Sequence, residues 1–325
     1  MTGISMEVYK FTPLVKQTIW GGDRIAKLKH IDSTPDNVGE TWEISGLDGN
    51  ETAVCGGAYD GMPVNDLIRA KKEQLMGRDN YRKYGNEFPL LVKFIDAKRD
   101  LSIQVHPDDV TARRHGQRRG KAEMWYVMHS APGAALFAGL RQWITPRQYE
   151  VMVNNHTITE ALARYNVSEG DVFYIPAGRI HSIGAGCMIA EIQRTCDLTY
   201  RIYDFNRRDA NGNLRPLHTQ LASESINYRV LADYRTHYHL CKNARTQLVR
   251  CPFFTTSVYD IDAEITIDYS HTDTFVILIC LEGEGTMGDG SGCRMELNAG
   301  DTLLLPATAN EISIRGRIKF LESYI

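Results

Sequence analysis

GDVFYIPAGRIH, Gly170 to His181, is the stretch whose reading decides the fold. Gly170 and Asp171 suit a tight turn. Val172, Phe173, Tyr174 and Ile175 suit a strand. Pro176 ends that strand and Gly178 relaxes the backbone. His181 then opens a short apolar run reaching Ile183. A histidine held by scaffold on both sides is placed as a metal ligand needs to be.

Partners for it lie upstream. Leu101 to Val105, LSIQV, reads as a strand running into His106. Gln104 and His106 are two apart, so on a strand they share a face. A basic loop containing Arg113 to Arg119 follows, and then Lys121 and Glu123, again two apart, ahead of the apolar run Met124 to Met128. His106, Glu123 and His181 thus all fall at strand positions, with Gln104 as a possible fourth. Two imidazoles and a carboxylate suit Zn2+, Fe2+, Mn2+ or Co2+ in a catalytic site.

The chain contains an echo of the opening stretch. Gly300 to Pro306, GDTLLLP, repeats Gly170 to Pro176, GDVFYIP, at the same spacing. Upstream lies an apolar run, Thr274 to Leu281, followed by EGEG and the glycine-rich turn GDGSG. Two copies of one unit predict two similar all-β modules rather than a solenoid. The copies differ at the chemistry: Glu311 stands where His181 stands in the first, and no QxH pair precedes it. The second module reads as a barrel without a working metal site. Helices are expected at Pro63 to Met76, stopped by Gly77, at Pro146 to Asn154, around Thr159 to Arg164, and in part of Gln220 to Tyr234. Short strands are expected at Glu7 to Phe11 and Thr41 to Ile44.

Composition sets outer bounds. The 325 residues are 43% hydrophobic and 24% charged, which is ordinary globular composition with room for a large core or two. A net charge of −3 gives no reason to expect nucleic acid or an anionic membrane as partner. The Arg113–Arg119 cluster reads mainly as a solvated loop, with a phosphate-facing role as the minority reading. No run approaches a membrane span, and the first residues, MTGISMEVYKFTP, hold no apolar signal core. Seven scattered cysteines with no CxxC pair predict free thiols and a reducing cytoplasm.

Several segments together carry a resemblance. The pattern at Gly170, Pro176, Gly178 and His181 resembles the second signature of cupin barrels. WEISG (Trp42–Gly46), FPLLVKFIDAKRDLSIQVHPDD (Phe88–Asp109), GKAEMWYVM (Gly120–Met128), IPAGRIHSIGAG (Ile175–Gly186) and TYRIYDFNR (Thr199–Arg207) resemble the type I phosphomannose isomerases in their short bacterial form. The resemblance implies a mainly β fold of two cupin (jelly-roll) barrels, the first with helical insertions. Residues 1–235 would be the metal-binding catalytic domain and 236–325 a second, degenerate domain. It further implies a zinc-dependent aldose–ketose isomerase acting on a sugar phosphate, with mannose 6-phosphate and fructose 6-phosphate as the pair. His106, Glu123 and His181 match its metal ligands. Gln104 matches a ligand of longer members, Arg201 an active-site arginine, and Lys121 a lysine at the pocket mouth.

The chemistry accounts for those residue types independently. Moving a carbonyl between C1 and C2 needs a base to take a proton beside it and return it next door. Negative charge grows on oxygen, and a divalent cation stabilises it. No redox cofactor is required. Glu191 and Gln193 alternate on the strand after His181, so Glu191 is a candidate acid/base. Arg201 would orient the sugar, helped by Lys121.

Each residue also has a structural reading. Glu123 could pair with Lys121, Gln104 could hydrogen-bond a ligand histidine, and Arg201 could anchor Asp204 or Glu191. Asp108 and Asp109 read as caps of the following turn. His115, His129, His156, His218, His237, His239 and His271 read as structural or surface groups. Two other function classes compete: a cupin oxygenase or epimerase, which leaves WEISG and TYRIYD unexplained, and a non-enzymatic sugar-binding or regulatory cupin, whose first module should have lost its ligands. Oligomeric state has no signature in the sequence.

Overall fold

The computed structural model of the chain describes residues 7–31, 37–208, 211–289 and 292–325. The first six residues and part of the GDGSG turn, residues 290–291, lie outside them. Two compact units emerge. One joins residues 1–14, 42–91 and 237–325; the other joins 15–41 and 92–236.

The structure is mainly β with helical insertions, but its sheets are open. The expected pair of closed cupin barrels is not formed. A five-stranded sheet runs Leu162–Asn166, Ala135–Leu140, His181–Ile183, Ile103–Val105, Tyr200–Tyr203. An eight-stranded sheet runs Arg235–Thr236, Val172–Ile175, Glu123–Ser130, Cys187–Arg194, Leu90–Asp96, Val38–Leu47, Leu14–Gly22, with Asn50–Glu51 beside Val38–Leu47. A nine-stranded sheet runs Thr246–Arg250, Thr255–Ile261, Glu311–Tyr324, Val276–Gly288, Thr302–Leu305, Tyr9–Thr12, Ala53–Val54. Its other two strands are Ile265–Asp268, on Glu311–Tyr324, and Arg294–Asn298, on Val276–Gly288. Among the described residues, in no sheet does the last strand pair with the first. Closure needs a full ladder between end strands, and two of these ends, Arg235–Thr236 and Ala53–Val54, are only two residues long. The turn-strand-histidine pattern fixes local geometry but carries no information on whether distant edges meet.

One core sits between the two smaller sheets. Trp125, Val127, Phe173, Ile175 and Ile189 of the larger sheet form one buried cluster with Leu136, Ala138 and Ile183 of the smaller. Period-two alternation on each strand sends these side chains to the inner face. Tyr259, Leu278, Leu303, Ile312 and Phe320 do the same in the other unit.

Helices follow their local signals unevenly. Pro146–Asn154 forms as expected, with Pro146 in its first turn and a capping box between Thr145 and Gln148. Thr219–Ser225 is the helical part of the 220–234 stretch. The expected single helix over 63–76 is two, Val64–Lys71 and Glu73–Met76, broken at Lys72 with φ +52°. TEALAR is not a helix beyond one short turn at Ile158–Ala161. From Leu162 it is an edge strand on Ala135–Leu140, because pairing outweighs the weak local helical preference.

Candidate metal centre

Three strands of the small sheet place the site in one row. His181 is directly opposite Gln104, and Gln104 is directly opposite Arg201. Residues opposite one another across a ladder point to the same face. His106 follows Gln104 by two positions. Glu123 comes from the facing sheet, paired with Ile175 and Gln193. Trp125 and Glu191 are opposite one another next to it.

His106, Glu123 and His181 converge, with one ligand atom of each within 4.8 Å of the others. All three are buried. His106 Nε2 is 3.3 Å from Glu123 Oε2, and His181 Nε2 is 3.3 Å from Glu123 Oε1. Main-chain carbonyls fix both imidazoles. His106 Nδ1 lies 2.9 Å from the Leu198 carbonyl, and His181 Nδ1 lies 2.8 Å from that of Arg179. A carbonyl only accepts, so each Nδ1 carries the hydrogen and each Nε2 presents a lone pair. Burial, reinforced by the Lys121 charge, pulls His106 down to about 3, and burial likewise lowers His181. Both rings are therefore neutral near pH 7. His106 Nε2 and Glu123 Oε1 are buried without a hydrogen-bond partner. Two neutral nitrogen acceptors and a carboxylate aimed at one point fit a divalent cation and make little sense without one.

Gln104 and Lys121 approach this group from the adjoining cavity. The Gln104 amide nitrogen is 3.2 Å from His181 Nε2. Turning the amide over would put its oxygen there instead. Lys121 is buried rather than at a mouth, with Nζ 2.9 Å from Glu123 Oε2. Burial works against its charge, but the Glu123 and Glu191 carboxylates outweigh this and raise its pKa. For Glu123 the order is the same: burial opposes ionisation, and Lys121 with the two histidines holds it well below the ordinary carboxylate range.

Glu191 behaves oppositely. Burial, and next the Glu123 charge, push it up to about 7. Its Oε2 accepts from Trp125 Nε1 at 2.9 Å, and Oε1 is 3.8 Å from Lys93 Nζ. Lys93 in turn is 3.3 Å from Glu40. Two nearby carboxylates driven in opposite directions is the pattern that separates an acid/base from a permanent anion.

The cavity measures about 300 Å³ and is lined by Gln104, Lys121, Glu191, Arg201, Arg215 and His218 among others. Arg201 does not anchor Asp204, which binds Arg207 and Arg215. One Arg201 guanidinium nitrogen donates to the Pro216 carbonyl at 3.0 Å, and its Nε has no acceptor. Lys93, Glu40 and Arg215 were missed in the sequence. The signal for Lys93 was present: it is the single charge inside the apolar run PLLVKFI. His218, read as structural, also lines the cavity while accepting the Arg201 main-chain N–H at 3.1 Å. The basic loop contributes none of the lining. Asp108 caps the helix Asp109–Arg114, accepting from Thr111 N at 2.7 Å, and Asp109 holds Arg194 at 2.7 Å.

Comparison with known proteins converges on one family. The profile "Phosphomannose isomerase type I, catalytic domain" matches residues 8–123, and "Mannose-6-phosphate isomerase, cupin domain" matches residues 244–325. The mannose-6-phosphate isomerase ManA of Bacillus subtilis (strain 168) is 31% identical over 97% of this chain and 98% of its own. That of Streptococcus mutans is 32% identical over 94% of each. The crystal structure of the mannose 6-phosphate isomerase from Bacillus subtilis superposes with a TM-score of 0.88 at 28% identity, covering 98% of this chain and 99% of that one.

Proposed function

The chain belongs to the type I phosphomannose isomerase family, and on that premise we propose that it interconverts mannose 6-phosphate and fructose 6-phosphate. The convergence of two neutral imidazole lone pairs and the Glu123 carboxylate carries this reading, because it supplies the cation site that a metal-dependent isomerase needs. His106, Glu123 and His181 would hold the ion, with the Gln104 amide oxygen as fourth ligand and Zn2+ as the ion that best suits the set. Bound there, a divalent ion supplies Lewis-acid polarisation of the sugar carbonyl.

The chain's own groups do the rest. Glu191, poised at about 7, takes the proton from one carbon and returns it to the other. Trp125 N–H fixes one Glu191 oxygen and leaves the other for the proton. Arg201 and Lys121 counter the charge that develops on the sugar oxygens. Arg215 and His218 line the same cavity, where the phosphate would lie. Catalysis is assigned to residues 1–235; among the described residues of 236–325 no three metal-ligating side chains converge. No helix among the described residues is long and apolar enough to cross a membrane. The cytoplasm, where phosphorylated sugars and reduced thiols coexist, is the setting this reading requires.

The test is direct. The purified chain is analysed for bound metal and offered mannose 6-phosphate in a coupled assay for fructose 6-phosphate. About one Zn2+ per chain, with turnover lost on chelation and restored by divalent ion, is the expected result. Turnover by metal-free protein would overturn it.

A further inference from the structure

One arginine of the cavity beside the metal centre is held by a carboxylate that does not itself line the cavity. Asp204 follows the strand Tyr200–Tyr203 and is buried. Its Oδ2 accepts from Arg215 Nε at 2.7 Å, and its Oδ1 accepts from Arg215 Nη2 and from Arg207 Nη2. Burial opposes its ionisation, but hydrogen bonds from the two guanidiniums outweigh this and hold it below its ordinary value. The turn that follows is fixed as well. Phe205 and Asn206 have φ +55° and +53°, a conformation that residues other than glycine keep where neighbouring contacts impose it. Arg207 imposes it here: its main-chain N–H donates to the Asp204 carbonyl at 3.1 Å, and its Nε donates to the same oxygen at 3.2 Å.

Two arginines thus share one carboxylate, yet Arg215 lines the cavity and Arg207 does not. The bidentate grip uses Nε and Nη2 of Arg215 and leaves Nη1 without a hydrogen bond among the described residues. The chain just beyond Arg215 is tied to the same strand. His218 N donates to the Arg201 carbonyl at 2.7 Å, and Arg201 reaches the Pro216 carbonyl while keeping a buried Nε with no acceptor. Arg201, Arg207 and Arg215 feel one another and Asp204 electrostatically, and three cations against one anion leave the group strongly positive. Of the carboxylates on the cavity wall, Glu40 and Glu191 face Lys93, and Asp197 is exposed. A phosphate monoester carries about two negative charges at pH 7 and suits the fork of a guanidinium.

We propose that Asp204 is a positioning residue that sets the Arg215 guanidinium in the cavity wall, and so makes the site select a hexose with a terminal phosphate over the free hexose. The assignment rests on the isomerase reading above and adds to it the group that governs affinity for the phosphate. An arginine side chain is long and samples many rotamers. A bidentate anchor removes that freedom before a ligand arrives. Loss of the anchor removes binding that substrate and transition state share, so it appears in KM rather than in kcat.

The experiment is a calorimetric titration with fructose 6-phosphate of the metal-loaded chain carrying Glu191→Gln, which slows turnover, alone and with each of three further changes. Asp204→Asn should raise Kd about tenfold, and so should Arg215→Lys. Arg207→Lys, on the same carboxylate but outside the cavity, should leave Kd unchanged. Without the Glu191 change, Asp204→Asn should raise KM for the sugar phosphate by about the same factor, with kcat and bound metal near those of the parent. Should Asp204→Asn fail to fold, Arg215→Lys, which keeps the charge but offers Asp204 no planar fork to orient, carries the test against Arg207→Lys. A folded Asp204→Asn chain that binds as the parent does, or an Arg207→Lys chain weakened as much as Arg215→Lys, would overturn the assignment and leave the isomerase reading standing. Failure of fructose 6-phosphate to bind the unsubstituted chain would overturn both.

Discussion

The two turn-and-strand copies share a backbone to a degree that their chemistry hides. Gly170 has φ +90° and Gly300 φ +88°, a region that favours glycine. Gly170 N donates to the Val127 carbonyl at 2.9 Å, and Gly300 N to that of Cys280 at 2.8 Å. Asp171 caps Ser168 N at 2.9 Å, and Asp301 caps Asn298 N at 2.9 Å. Each aspartate also meets a cation from the neighbouring strand: Arg235 at 3.5 Å in one copy, Lys10 at 3.0 Å in the other. Those cations occupy matching ladder positions, opposite Phe173 and Leu303. What differs is a handful of inward side chains. The scaffold is indifferent to whether it carries a metal site, so chemistry is exchanged at single positions without disturbing the fold.

The comparison breaks most visibly if a ligand is removed. His181→Ala should lose its metal and about three orders of magnitude in turnover while staying folded. Elemental analysis and the coupled assay check this, and full occupancy with normal rates would remove His181 from the site. Glu123→Val installs the residue the second copy carries, Val276, which is opposite Leu305 as Glu123 is opposite Ile175. It should also lose the metal, and in addition about 3–5 kcal/mol of stability, because Lys121 is left buried without its nearest carboxylate. Denaturant unfolding of the metal-free proteins isolates that cost.

Glu191→Gln sharpens the contrast at the proposed base. Metal should remain, and kcat should fall by about 10²–10⁴. In the parent protein kcat should rise with pH through about 7, as Glu191 loses its proton, and level off above it. The sign for stability is opposite. The folded pKa lies above the ordinary carboxylate value, so across that window the folded state holds a proton the unfolded chain has released. Stability from this group falls as pH rises towards about 7. A flat kcat profile would transfer the base role to another group.

Arg201→Lys should keep its metal and melting temperature and lose about tenfold in kcat. A mobile ammonium replaces a planar fork, and no ion pair with Asp204 is at stake. A lowered melting temperature with unchanged kinetics would make Arg201 structural. The smallest effect belongs to Glu311→Ala, the exposed counterpart of His181, which should leave metal content and turnover within experimental error. Metal loss in this variant would mean the two copies share more chemistry than their ladders indicate.

The sequence made the local geometry of the site legible because strand period, turn residues and ligand types are short-range signals. His106, Glu123 and His181 met as their positions implied. The internal repeat was legible too, from GDVFYIP and GDTLLLP alone. Sheet closure was not, since it depends on whether edges such as Arg235–Thr236 find a partner far along the chain. TEALAR misled for a related reason: its helical composition yields to pairing with Ala135–Leu140, on which Leu162–Asn166 forms the edge strand. Arg215 and His218 were invisible because a loop with no periodic pattern brings them to the cavity.

Gly178 sits between the two histidines in a way that governs how an ion is received. Its N–H donates to the carbonyl of His106 at 2.8 Å, and its own carbonyl accepts from Asn227 at 2.8 Å. With φ +83°, and the Asn227 Cβ and the Ser225 carbonyl each 3.0 Å from where a Cβ would stand, no larger residue fits without displacing that bond. The two ligand-bearing segments are thus stitched together by main chain before any cation arrives. Little conformational entropy remains to be lost on capture. Such a frame acts as a jig: it holds the His106 and His181 rings with their centroids 4.7 Å apart by main-chain bonds alone.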